Sequence, residues 1–177
     1  MDNNLLIIHG GGPTAVLNAS LYGAVLAAKK SGCVDHIYGA NNGTGGLLRE
    51  ELICLDDYSP EQLKLLTVTP GSAIGTSRDA IWQEDYDAMV PILEKHHIRY
   101  VLFNGGNGTM DTCGKLHKTC AASGKEICVM GIPKTTDNDI AVTDHSPGFG
   151  SAARFMAASA QELCADVRSL PIHVVVM

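Results

Sequence analysis

Three times in this sequence a short apolar run stops at a glycine-rich or polar turn. Leu5-Leu6-Ile7-Ile8-His9 stops at Gly10-Gly11-Gly12-Pro13, and Tyr100-Val101-Leu102-Phe103-Asn104 stops at Gly105-Gly106-Asn107-Gly108-Thr109. Ile127-Cys128-Val129-Met130 runs towards Pro133-Lys134-Thr135-Thr136-Asp137-Asn138-Asp139. Runs that are apolar throughout, rather than at every second position, suit strands buried on both faces, the condition of a parallel sheet. Helical patterns separate them: residues 14–30, closed by Ser31-Gly32, then 83–97, then 110–123, closed by Gly124, then 148–167. Residues 34–38 and 172–177 read as further strands and 39–46 as a glycine-rich loop. Ser59-Pro60 reads as a helix start, with Ser59 as cap and Pro60 at the first helical position. Pro91 is expected to kink or split the helix around it.

Strand and helix in alternation predict an α/β fold, a Rossmann-like three-layer domain with a mostly parallel sheet and helices on both faces. Ligands of such sheets sit beyond the carboxyl ends of the strands. All three turns fall there.

The chain's 177 residues suffice for one compact domain, and neither an internal repeat nor a linker interrupts them. A formal net charge of −6 gives no support to a nucleic-acid partner. No apolar run approaches a membrane span, and Met1 to Gly11 lacks the basic start of a signal peptide, so no membrane partner and a cytoplasmic location are expected. Cys33, Cys54, Cys113, Cys120, Cys128 and Cys164 form no C-x-x-C pair and no zinc spacing. They are expected to be reduced, buried thiols.

Each turn carries a chemical and a plain structural reading. Gly10 to Pro13 follows a strand and opens a helix, so its amides and the helix N-terminus suit an anion, although any tight strand-to-helix turn uses glycine too. It is neither a nucleotide P-loop nor a full G-x-G-x-x-G dinucleotide fingerprint, and the second strand offers no acid for a ribose. The second loop repeats the arrangement, and Asn107 there offers a carbonyl oxygen to a metal or serves as a helix cap. Asp137-Asn138-Asp139 is either an Asx-type turn or a general base with a second carboxylate on the magnesium side of a phosphoryl transfer. Lys134, three residues earlier, can set a positive charge on a moving phosphoryl group, and Arg78, closing Pro70 to Ser77, suits a phosphate oxygen.

Read together, GGGPTAVLNAS, PGSAIGTSR, GGNGT, IPKTTDND and TDHSPGFGSA resemble, in order, the loops of the phosphofructokinase family, which phosphorylates the 1-hydroxyl of fructose 6-phosphate. The resemblance implies Asp137 as the base, with Lys134 beside it in the catalytic loop. It implies Thr135 and Thr136 at the sugar phosphate, and Gly11, Arg78, Gly106, Asn107, Gly108 and Thr109 around the phosphoryl donor. It places Asn107 and Asp139 near Mg2+, the expected cofactor, and implies small-molecule substrates and a homo-oligomer at full length. The family continues past Met177 with an M-G-R segment that grips the sugar phosphate and then a second domain. Met177 is therefore expected at the substrate, residues 1–177 are expected to be the N-terminal donor-binding and catalytic domain, and activity is not expected of them alone.

Two positions depart from the family's common pattern: Asn107 stands for the aspartate of GGD, and Thr136 for the isoleucine of T-I-D. The donor signals divide. The resemblance implies that glycine in the fourth place of the GGxG loop leaves room for ATP, where an aspartate blocks it. Lys134 and the GGGPTAVLN form go with pyrophosphate users. Exclusion by bulk and charge outweighs attraction, so ATP is the expected donor and pyrophosphate the alternative. A phosphate-binding domain without catalysis is the alternative of another class.

Overall fold

The structure, a computed structural model, describes residues 3–171 and 174–176. The chain divides into two compact units, residues 1–134 and 135–177.

The first unit is a five-stranded sheet: β1 (Asn4–Gly10), β2 (Ile37–Ala40), β3 (Leu52–Cys54), β4 (Ile98–Gly105) and β5 (Cys128–Pro133), in the order β3-β2-β1-β4-β5. β2, β1, β4 and β5 run parallel, and β3 joins β2 antiparallel. Between them lie α1 (Ala15–Ser31), α2 (Gly43–Leu48), α3 (Pro60–Lys64) with a short 3-10 turn at Leu65–Thr67, α4 (Gln83–Lys95) and α5 (Asn107–Ala122).

The pleat of β1 sorts its side chains into two cores. Leu6 and Ile8 join Val101 and Phe103 of β4 against Met89 and Leu93 of α4 and Leu116 and Cys120 of α5. Leu5 and Ile7 face the other way, with Leu21 and Val25 of α1 and Leu63 of α3. Both faces of β1 are therefore covered, which is why the run carries no polar alternation. Burying each such Leu or Ile stabilises the fold by about 1.5–3 kcal/mol. The expected α/β three-layer fold is present. The sheet grows outward from β1 in both directions, so the connections diverge at the β1–β4 boundary and leave a crevice at their carboxyl ends.

Several local expectations hold. Ser59 and Gln62 form a reciprocal capping box ahead of Pro60, and Gly32 ends α1 in the left-handed region at φ 65°. Others need correction. The second strand runs over Ile37–Ala40 rather than 34–38, and the glycine-rich stretch 39–46 contributes the end of β2 and most of α2. Pro91 neither splits nor ends α4, because Pro91 and Asp87, whose carbonyl it leaves unpaired within the helix, both lie on the exposed side. Only Cys113 and Cys120 are buried, and burial pushes both thiols up; Cys33, Cys128 and Cys164 are exposed.

The second unit holds a loop and α6 (Phe149–Ser169). Of the last expected strand, Ile172, His173 and Met177 lie outside the described residues, and Val174 to Val176 form no strand. Among the described residues no helix is long and apolar enough to cross a membrane.

Candidate functional site

In the first unit the carboxyl ends of β1 and β4 lie side by side, with Gly10 paired to Gly105. A β-carbon on either would collide with Thr109, whose side chain leans over both strand ends from the first turn of α5. The two glycines thus let α5 settle onto the sheet with its N-terminus at the crevice. Gly106 caps it in extended backbone, and the first intrahelical bond runs from Met110 N to Gly106 O. The first-turn amides lie beyond the reach of intrahelical carbonyls, and a helix start of this kind suits an anion.

The arginine-bearing loop closes the other side. Ser77 bridges Gly10 in parallel, the Gly11 amide donates to Ser77 O at 2.9 Å, and Thr76 Oγ1 donates to Gly11 O at 2.9 Å. Gly11 stands at φ 79°, a left-handed conformation that favours glycine. Its amide, a natural anion donor by sequence, is committed to Ser77 instead. The Arg78 guanidinium reaches back over the first loop, 3.3 Å from where a β-carbon of Gly12 would stand.

The resulting cleft has a volume of about 280 Å³ and is lined by Gly11, Thr44, Ser77, Arg78, Gly106, Gly108 and Thr109, among others. Asp79 lines it too, but its Oδ2 already accepts from Gly45 N at 2.9 Å and Thr44 Oγ1 at 3.2 Å. Arg78 is therefore the cation of the cleft wall, beside a carboxylate engaged elsewhere. The arrangement suits a compact anion.

Beneath the cleft is a buried polar layer. His9 is fully buried, its Nδ1 lies 2.8 Å from Ser72 Oγ, and Asn104 Nδ2 lies 3.2 Å from its Nε2. Burial without an ion partner lowers the His9 imidazole from 6.5 to about 4, so it is neutral at physiological pH. Lys134, also buried, stands at the end of β5, where its amide donates to Gly105 O at 2.9 Å. Five of the expected donor-side residues, Gly11, Arg78, Gly106, Gly108 and Thr109, meet at this cleft. Asn107 opens α5 at its rim and is exposed. Thr44, Ser77, Asp79 and His9 were not singled out by sequence; Thr44 sits in a glycine tract with no motif, and His9 is the polar residue of an apolar strand.

The second unit is described by itself. Thr135 bridges Gly148, and its Oγ1 accepts from the Asp137 amide at 3.1 Å. Asn138, at φ 56°, staples the loop: its Nδ2 donates to Asp144 O at 3.2 Å and its Oδ1 accepts from Ser146 N at 2.9 Å. These bonds span six and eight residues, so Asn138 clamps the loop rather than forming the local Asx turn, while Asp137 and Asp139 on either side of it are exposed. Thr136 is exposed and its hydroxyl lies 3.3 Å from Asp137 Oδ1. Met177 lies outside the described residues.

No group of three or more His, Cys, Asp and Glu among the described residues could cage a metal ion. Mg2+ seldom needs one, since it binds through substrate phosphates with one or two protein oxygens. The exposed Asn107 is an oxygen donor of that kind.

The phosphofructokinase family model matches residues 4–177. The chain belongs to the phosphofructokinase family. It is 39% identical over 174 residues to a pyrophosphate–fructose 6-phosphate 1-phosphotransferase of Xanthomonas campestris pv. campestris, covering 96% of this chain and 41% of that protein. Five curated relatives, at 31 to 39% identity, share that name. An ATP-dependent 6-phosphofructokinase of Amycolatopsis methanolica is 33% identical over 148 residues, 82% of this chain and 31% of that one. The fold matches a solved pyrophosphate-dependent phosphofructokinase of Nitrosospira multiformis with a TM-score of 0.87 at 38% identity, over 95% of this chain and 42% of the other. The chain thus spans about two fifths of the length of the pyrophosphate-named relatives and under a third of the ATP-named one.

Proposed function

We propose that these residues form the phosphoryl-donor part of a pyrophosphate-dependent phosphofructokinase that phosphorylates the 1-hydroxyl of fructose 6-phosphate. The observation that carries the donor is that four pyrophosphate-named relatives at 34 to 39% identity span 94 to 96% of the chain, with a fifth at 31% over 89%, against 33% and 82% for two ATP-named ones. The small polar cleft and the buried Lys134 support it.

In this reading Arg78 and the first turn of α5 hold pyrophosphate, and Lys134 adds positive charge where the phosphoryl group moves. The sugar 1-hydroxyl oxygen bonds to phosphorus, the bridging P–O bond breaks, phosphate departs, and the hydroxyl proton passes to Asp137. Thr135 and Thr136 are assigned to the sugar phosphate. Magnesium, when bound, supplies further neutralisation of phosphate charge, and Asn107 and Asp139 are each proposed as an oxygen donor to it.

ATP remains a second reading for one reason. Apart from its chain neighbours and the backbone of its own helix turn, no atom lies within 4 Å of where a β-carbon of Gly108 would stand, so this position leaves the cleft open. Coupled assays of the full-length gene product with fructose 6-phosphate and each donor decide between the two. Turnover with pyrophosphate at least tenfold above that with ATP is expected, and the reverse order would overturn the assignment.

A further inference from the structure

The loop that carries Arg78 is tied down from below by side chains of which two, His9 and Asn104, belong to none of the family-like motifs. Asn18, fully buried in α1, donates from Nδ2 to Thr69 O at 2.8 Å and accepts at Oδ1 from Ala73 N at 2.7 Å. Within the loop, Ser72 donates its hydroxyl proton to Gly75 O, three residues on, at 2.6 Å. A serine hydroxyl has one proton, so the 2.8 Å contact between Ser72 Oγ and His9 Nδ1 requires the imidazole proton on Nδ1. That tautomer leaves Nε2 as an acceptor, and Asn104 Nδ2 donates to it at 3.2 Å and also to Leu17 O at 3.0 Å. Asn104 is the register partner of His9 across β1 and β4. The donors and acceptors run in one consistent direction, from Asn104 to His9 to Ser72 to Gly75.

We infer that His9, with Asn104 behind it and Ser72 ahead of it, is a positioning residue that sets the arginine loop, and through it Arg78, over the phosphate cleft. His9 lies fully buried at the floor of the cleft, and both of its ring nitrogens are engaged, Nδ1 by the arginine loop and Nε2 by Asn104. The inference rests on the proposed role of the cleft as a pyrophosphate site. A hydrophobic residue at position 9 would leave Ser72 and Asn104 as buried groups without their partner, and a lysine or arginine would bring a charge into the layer.

The test is a double-mutant cycle read by calorimetric titration of the full chain with pyrophosphate. Ser72→Ala is expected to weaken binding about five-fold in the Arg78 background, the usual effect of one lost hydrogen bond. With Arg78→Ala already present, the same substitution is expected to change binding less than two-fold, because the loop then has nothing to aim. Equal losses in both backgrounds would overturn the inference. A second measurement does not depend on pyrophosphate: the ¹⁵N spectrum of the His9 ring at pH 7.5 should show a proton on Nδ1 and none on Nε2. The opposite tautomer would also overturn it. If the Nδ1 form is found but the native chain binds no pyrophosphate, the positioning of Arg78 for that ligand and the proposed function fail together, whereas failure of the cycle alone leaves the function standing.

Discussion

Gly10 and Gly105 lie opposite one another at the ends of β1 and β4, and Thr109 occupies the space that neither β-carbon takes. The two glycines are not equivalent. The three atoms nearest to a β-carbon at Gly10 all belong to the Thr109 side chain, whereas the nearest to one at Gly105 is the Gly10 carbonyl oxygen. Gly10→Ala is expected to destabilise by about 1–3 kcal/mol, the usual cost of overpacking, and to recover most of that in combination with Thr109→Ala. Gly105→Ala is expected to stay destabilised in both backgrounds. Urea denaturation of the four variants checks this, and equal rescue of both glycines would show that the Gly10 carbonyl plays no part.

Gly108→Asp has room to fold. The position is open, and an acidic residue in the first turn of a helix adds about 0.3–1 kcal/mol. Its carboxylate would stand at the cleft, where bulk and charge oppose the longer donor more than the shorter one. Any turnover with ATP is expected to fall at least tenfold relative to pyrophosphate. Parallel losses with both donors would mean that position 108 does not discriminate between them.

Asp137→Asn in the full-length protein is expected to lower turnover about 10²–10⁴-fold, the range for a removed general base, while the dissociation constant for pyrophosphate stays within two-fold. The substitution keeps the amide bond from Asp137 N to Thr135 Oγ1, so the loop should persist. Turnover close to native would remove Asp137 from the mechanism.

His9 predicts a pH dependence of stability. Its folded value is depressed, from 6.5 to about 4, so the folded state binds fewer protons than the unfolded one between these values. Stability from this group is whole above pH 6.5 and is lost as pH falls towards 4, by about 3 kcal/mol in total. The denaturation midpoint should decline across that window, and less so in His9→Asn, which has nothing to titrate. A decline of the same size in the variant would assign the loss to other groups.

Much of this was legible in the sequence because the signals were local. The runs at β1 and β4 and the stop at Gly32 depend on near neighbours, and Ser59-Pro60 caps through an atom three residues away. Helix α2 depends on distant partners: Thr44 and Gly45 are held by Ser77 and Asp79, more than thirty residues on. A stretch reading Gly43-Thr44-Gly45-Gly46 has poor helix propensity, and tertiary bonding overrides it. His9 went unassigned for a related reason. Its partners come from residues 72 and 104, so nothing adjacent announces a hydrogen-bonded histidine.

The sheet order carries a consequence for how such a protein can change. Because strands are added on both sides of β1, the residues proposed to meet the ligand hang from strand ends, while Leu6, Ile8, Val101 and Phe103 lie in a core they share with α4 and α5. Exposed positions such as 107 and 108 can therefore be exchanged among descendants without repacking that core. A lineage could pass from one phosphate donor to another through a few substitutions at the rim, each intermediate still folded.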